Sequence, residues 1–205
     1  MVAIPIATED YVKVIYAHTE WQPNPITSTA IATRLGLVPS SVTEMVKKLV
    51  AHGLVSHEPY GAIELTRDGT ALALRMVRRH RLIETWLVQH FAYSWDEVHD
   101  EAEILEHALS DRLLDAIDDQ LGRPTRDPHG DPIPSRTGAI VVPLATPLAD
   151  APAGGRVVRI SDRDPALLRD LEGRGIVLDA LVTPRGLPEA ALTSIWVASA
   201  SGGRA

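Results

Sequence analysis

The chain has 205 residues, 45% of them apolar and 23% charged, with no cysteine. That composition is ordinary for a globular protein with one real core and a small second module, and it excludes disulfides, thiolate metal ligands and zinc ribbons. The net charge of −7 is unevenly spread: residues 1–90 hold 9 Lys and Arg against 8 Asp and Glu, and the remainder holds 11 against 19, as expected of a DNA-binding first half joined to an acidic sensing half.

No apolar run approaches the ~20 residues needed to cross a bilayer. The opening residues Met1–Pro5 lack the basic start and long apolar stretch of a signal peptide, so a cytoplasmic protein without membrane contact is expected.

Thr8-Glu9-Asp10 predicts the start of a first helix, with Thr8 as cap and two acids at its positive end. Tyr11, Val14, Ile15 and His18 follow at helical spacing. Thr27 or Ser28 caps a short helix over Thr29–Leu35, which Gly36 stops. Pro39 begins the next helix, with Ser41 and Glu44 spaced as a capping box; Val42, Met45, Val46 and Leu49 point inward and Gly53 ends it. Two short helices joined by a tight turn make a helix-turn-helix candidate. Its DNA-facing set is Ser28 and Pro39 at the helix starts, then Ser40, Ser41, Thr43, Glu44, Lys47 and Lys48 on the outward side. Small hydroxyls reach base edges there, and lysines meet phosphates. Two strand-like runs, Leu54–Glu58 and Ala62–Thr66, flank Pro59-Tyr60-Gly61, and the hairpin they predict completes a winged helix-turn-helix.

A long helix is expected over about Arg67–Phe91. On it His80 and Glu84, four residues apart, share a face and could both ligate a cation. Ser94-Trp95-Asp96-Glu97 is a second capping-box pattern and starts the stretch His99–His107. On one helix, His99, Glu103, Glu106 and His107 form a stripe of two imidazoles and two carboxylates. The two anions repel each other, and a cation between them would remove that cost. Ser110 caps Asp111–Leu121, whose apolar stripe offers a dimerisation surface or part of a core. Gly122–Ser135 is rich in Pro and charge, and residues 137–154 read as a linker. Beyond it Arg156–Ile160, Ile176–Val182 and Ile195–Val197 look like strands, with a helical turn at Pro165–Glu172. The tail Ser201–Ala205 is expected to fray.

The winged helix-turn-helix, Arg79-His80-Arg81-Leu82-x-Glu84, His99-Asp100-Glu101-Ala102-x-x-x-Glu106-His107-x-x-Ser110-Asp111 and Pro128-His129-Gly130-Asp131-Pro132-Ile133-Pro134 together resemble the diphtheria toxin repressor family of metal-dependent transcriptional repressors. The resemblance implies a mainly α chain: a winged helix-turn-helix DNA-binding domain over 1–72, a helical metal-binding and dimerisation domain over 73–136, the linker, and a truncated, β-rich SH3-like module over 155–205. It also implies a homodimer on a palindromic operator, repressing metal-uptake genes.

The same resemblance places Asp10 as a first-helix ligand beside Glu103, Glu106 and His107 in one site, and His80, Glu84 and His99 in another. Members with an SH3-like module complete the second site from it, for which Asp162 and Asp164 are the candidates here. Iron-responsive members carry Met and Cys where this chain has Asp10 and Glu103, and the manganese-responsive branch carries carboxylates. Oxygen and imidazole donors suit Mn2+, so Mn2+ is the expected cofactor and Fe2+ the alternative, with Zn2+, Co2+ and Cd2+ able to occupy such ligands in vitro. The acid that small manganese-responsive members carry three residues after Asp10 is Lys13 here. Neither a repeated Glu-x-x-His pair nor an HExxH motif is present, so no enzyme is expected. A winged-helix regulator of a small organic ligand would leave His80, Glu84 and His99 without a role.

Overall fold

The computed structural model describes residues 4–58 and 61–198. They divide into two compact units, one running to Arg78 and including Arg136–Gly138, the other holding Arg79–Ser135 and the chain from Ala139 onward.

The first unit opens with α1 (Ile6–Thr19), α2 (Ser28–Leu35) and α3 (Pro39–Ala51). Helix α1 begins before the expected Thr8 cap. Pro5 stands at its N-cap in extended conformation without a side-chain bond, and Thr8 is buried inside the first turn. Thr27, not Ser28, caps α2, its hydroxyl accepting from the Ala30 N–H at 3.1 Å, and Gly36 ends it with φ 63°. Pro39 occupies the first turn of α3, where a missing N–H costs nothing. The expected capping box does not form; Glu44 reaches forward to Lys47 instead, at 2.8 Å. Strands β1 (Val55–His57) and β2 (Ile63–Leu65) pair antiparallel, Val55 opposite Leu65. Pro59 and Tyr60 of the expected turn, and the tail 201–205, lie outside the described residues.

Tyr11, Val12, Ile15, Ile31, Val42, Val46, Leu49, Val55 and Ile63 close the core of this unit, joined by Leu72 and Ala73 from α4 (Arg67–Phe91). Each large aliphatic so buried contributes about 1.5–3 kcal/mol. That packing fixes α3 with its polar side outward.

In the second unit α4 continues and is followed by α5 (Val98–Leu105) and α6 (Asp111–Gln120). Ile83, Leu87, Val98 and Ala102 form one small core, and Leu82, Leu114 and Ile133 another. Ser110 caps α6 as expected, accepting from the Leu113 N–H at 3.3 Å. A four-stranded antiparallel sheet of order β3-β6-β4-β5 follows: β3 (Ala145–Pro147), β4 (Gly155–Ile160), β5 (Leu181–Val182) and β6 (Ile195–Ala198). With α7 (Pro165–Gly173) and α8 (Glu189–Ser194) it buries Leu148, Val157, Ile160, Leu168, Leu171 and Ile195.

Two expectations change here. The stretch 137–154 is not linker throughout: Ala145–Pro147 pairs with β6, and Leu148, in the 3-10 turn Leu148–Asp150, is fully buried. The run Ile176–Val182 is a strand only at Leu181–Val182.

Candidate metal centre

The titratable cluster is built within the second unit. Helix α4 supplies His80 and Glu84 one turn apart, both buried, and α5 brings His99 and Glu103 on one of its faces. His80 Nε2 lies 2.9 Å from Glu84 Oε1 and 3.1 Å from His99 Nδ1. His99 Nε2 lies 3.5 Å from Glu103 Oε1, and His80 Nδ1 lies 3.9 Å from the same atom.

Glu106 is the C-cap of α5 and keeps helical geometry, its N–H donating to the Ala102 carbonyl at 2.9 Å, so it continues the stripe of His99 and Glu103, while His107 sits in the turn beyond. Glu106 is fully buried, its Oε2 2.6 Å from His80 Nδ1 and its Oε1 3.4 Å from His107 Nε2. Ile104, on the other side of α5, is exposed.

From the sheet module comes Asp162, just past β4. Its Oδ2 lies 3.5 Å from His99 Nδ1, and Glu84, His99 and Asp162 each place one donor atom within 4.8 Å of the others. Asp164 is used differently. Its Oδ1 accepts from the Ala166 and Leu167 N–H groups and caps α7. Asp10 lies on α1 in the first unit, as does buried Lys13.

Two members of the cluster escaped the sequence reading. Asp127 and His129 belong to the Pro-rich stretch, yet both are buried and join Glu84 in a group whose donor atoms lie within 4.8 Å. His129 Nε2 faces the Trp95 carbonyl at 2.9 Å. A carbonyl only accepts, so Nε2 carries hydrogen and Nδ1 is the free ring position. That Nδ1 is buried without a hydrogen-bond partner among the described residues, which suits a cation or a proton. The signal available in the sequence was two acids flanking a histidine, Asp127-x-His129-x-Asp131.

Charge holds the stretch down. Arg159 Nε donates to Asp131 Oδ1 at 2.6 Å and its guanidinium lies 4.3 Å from the Trp196 ring centre. Arg81 donates to the Pro132 carbonyl at 2.6 Å and stands 3.6 Å from Asp127 and 3.7 Å from Asp131. Asp127 Oδ1 accepts from the N–H groups of His129 and Asp131, both at 2.9 Å.

The protonation pattern follows. Burial pushes Glu84 upward, but the His80 charge and hydrogen bonds from His80 and His99 outweigh it and hold its carboxyl well below the usual range. Burial also opposes charging His99 and His129. Glu84 and Asp162 overcome it at His99, and Glu84, Asp127 and Asp162 do so at His129, raising both imidazoles. Asp162, despite burial, is lowered by His129 and His99. Burial first, then Asp131 and Glu84, push Asp127 up to about 8. Buried carboxylates and imidazoles gathered this closely form a donor set of oxygen and nitrogen only, which fits a hard or borderline divalent cation.

Of the residues expected to face DNA, Pro39, Ser40, Ser41, Thr43, Glu44, Lys47 and Lys48 are all exposed along α3, and Ser28 is half-buried at the start of α2. The Thr43 hydroxyl donates back to the Pro39 carbonyl at 3.0 Å.

Residues 6–63 match the family model of the iron-dependent repressor N-terminal DNA-binding domain, and residues 66–135 match that of the iron-dependent repressor metal-binding and dimerisation domain. The iron-dependent repressor IdeR of Mycobacterium tuberculosis is 31% identical over 202 residues, covering 92% of this chain and 87% of that protein. The chain belongs to the iron-dependent repressor family.

Within this family of metal-dependent transcriptional repressors, the diphtheria toxin repressor of Corynebacterium efficiens is 37% identical over 131 residues, 62% of this chain and 55% of that protein. Among solved structures, a manganese-dependent transcriptional repressor in complex with manganese superposes with TM-score 0.87 at 44% identity, covering 94% of this chain and 99% of that one. The manganese regulator SloR matches with TM-score 0.74 at 30% identity, over 92% and 97% of the two chains. The family accounts for the order of winged helix-turn-helix, helical domain and small sheet module.

Proposed function

We propose that this protein is a manganese-activated, homodimeric repressor that binds a palindromic operator in the cytoplasm and turns off metal-uptake genes, and that it catalyses no reaction. The observation that carries the choice of metal is the donor set. Every candidate ligand is an imidazole nitrogen or a carboxylate oxygen, with Asp10 and Glu103 where a sulfur ligand would favour a later or softer ion. The 44% identity to a repressor solved with manganese supports it.

Residues 1–72 act as the DNA-reading domain, 73–136 as the metal-binding and dimerising domain, and the sheet module as a supplier of ligands. One ion is held by Glu84, His99 and Asp162, with His80 and His129 beside it. A second is held by Glu103, Glu106 and His107 together with Asp10 from the DNA-reading domain. A cation shared by ligands from two domains is bound most tightly in one arrangement of them. It shifts the population toward the form whose two recognition helices match successive major-groove half-sites. Moving such an equilibrium from mostly inactive to mostly active takes about 5.5 kcal/mol of differential affinity.

The alternative metal is iron, favoured by the 31% identity to IdeR. Operator titrations with Mn2+, Fe2+ and Zn2+ on wild type and Asp10→Met decide between them. Operator binding that appears with Mn2+ and disappears in chelator, and an Mn2+ response lost preferentially in Asp10→Met, are the expected results. Equal operator affinity in chelator and in Mn2+ would end the reading, and a response to Fe2+ alone would transfer it to iron.

A further inference from the structure

We propose that Arg79 is a positioning residue for Glu106 and His107, a role that rests on the assignment of those two as metal ligands. They sit at the C-terminal end of α5, whose last residue is Leu105, and the last carbonyls of a helix have no partner within it. A ligand on such a turn is placed only as well as the turn itself.

Arg79 holds that turn from α4. Its Nε donates to the Glu106 carbonyl at 2.7 Å, one terminal nitrogen donates to the Leu109 carbonyl, and the other donates to Asp111 Oδ1 at 2.6 Å. One planar guanidinium therefore spans the turn from the residue that ends α5 to the residue that begins α6. The side chain is 12% exposed and Asp111 is 86% exposed, so the two carbonyls are the sheltered contacts and the carboxylate is the outer one. The residue next to Arg79 on α4 is His80, whose Nδ1 faces Glu106 Oε2. Adjacent residues of one helix thus grip the backbone of Glu106 and its side chain.

Lysine replaces it only in part. An ammonium is a point donor on a flexible stem, and it cannot span two carbonyls in the rigid fork that guanidinium presents. Nor can Arg79 be a ligand, since guanidinium has no lone pair to offer a cation. Its effect must pass through the two residues it positions, as groups outside the ligand set commonly do in metal sites, where their loss costs roughly 10–100-fold in affinity.

The test is calorimetric Mn2+ titration of the full chain as wild type, Glu106→Gln, Arg79→Gln, Arg79→Lys and Asp111→Asn, with melting in chelator as the measure of fold. Glu106→Gln identifies the binding step that belongs to this site. Arg79→Gln is expected to weaken that step at least tenfold and leave the step at Glu84, His99 and Asp162 unchanged. Arg79→Lys should recover part of the loss, and Asp111→Asn should cost about threefold or less. A general loss of packing would weaken both steps together, and that outcome overturns positioning. So does an unaltered step in Arg79→Gln, or in Arg79→Lys should the Gln variant fail to fold. If Glu106→Gln removes no step, the ligand assignment itself falls, a result distinct from either.

Discussion

His80 Nδ1 stands 2.6 Å from Oε2 of Glu106, a carboxylate with no solvent exposure at all. A buried carboxylate this close to an imidazole depends on it for compensation, because removing one partner of a buried charged pair leaves the other desolvated. His80→Ala is expected to destabilise the metal-free protein by about 3 kcal/mol in urea unfolding. His80→Ala with Glu106→Gln should cost less than the two changes added together, since the two side chains share one buried contact. Additive losses would show that the pair is not coupled.

The protonation pattern sets a pH dependence with a definite sign. His99, His129 and Asp127 all hold protons more tightly in the folded chain than in the unfolded one. The stability they contribute is complete below their unfolded values and is lost as pH rises through the folded ones. For Asp127 that window ends near 8. Glu84 and Asp162 are lowered, so their contribution is present at neutral pH and vanishes only in acid. In chelator, melting temperature should therefore fall as pH rises from about 6.5 toward about 8. Asp127→Asn should flatten the alkaline side of the curve and melt above wild type at pH 9.

Gly130 tests the closeness of the Pro-rich stretch to the sheet. Its φ is +94°, and a Cβ there would lie 2.1 Å from the Val158 carbonyl oxygen. The neighbouring His129 carbonyl accepts from the Ile160 N–H at 2.9 Å, so the stretch is laced to β4 by backbone as well as by Arg159 and Asp131. Gly130→Ala should destabilise by about 2 kcal/mol or more, from strain and overpacking together, and should weaken Mn2+ binding through displaced His129. Unchanged unfolding in Gly130→Ala would show that this approach is not required.

For the DNA-facing helix, the exposed lysines and hydroxyls should separate cleanly. Lys47→Ala and Lys48→Ala are expected to lower operator affinity to a similar degree for all sequences and to reduce the salt slope by about 1 each. Ser40→Ala or Ser41→Ala should change base preference at one position of each half-site, worth about 1–3 kcal/mol. Competition binding over a salt series distinguishes the two behaviours.

Much of this was legible in the residues, for physical reasons that differ by segment. The limits of α4 and the helix, helix, hairpin order of the first unit followed from periodicity and from Gly36, Pro39 and Gly53, because local preference and packing agree there. The stripe over His99–His107 was legible from its residue types and from helical spacing that holds as far as the C-cap Glu106, and only His107 lies in the turn beyond, which Arg79 grips through the Glu106 carbonyl. Asp127 and His129 were hidden, since Pro and charge in sequence mean loop, and the groups that compensate the burial of that loop include Arg81 and Arg159 from distant positions. Strand β3 was missed for a related reason. Three residues of Ala, Thr and Pro carry no strand pattern, and their partner lies far along the chain.

That distance bears on how the protein is made. Ala145 pairs with Ala198, and β6 is the strand that joins β3 to β4. At ordinary rates of translation, the ribosome needs roughly 3–10 s to cover the intervening residues. The core of the first unit, by contrast, closes with Ala73. The residues of the first unit's core are thus all synthesised while the sheet beside Asp162 still lacks its connecting strand. For those seconds, the nascent chain carries a closed first-unit core and a sensor that is not yet finished.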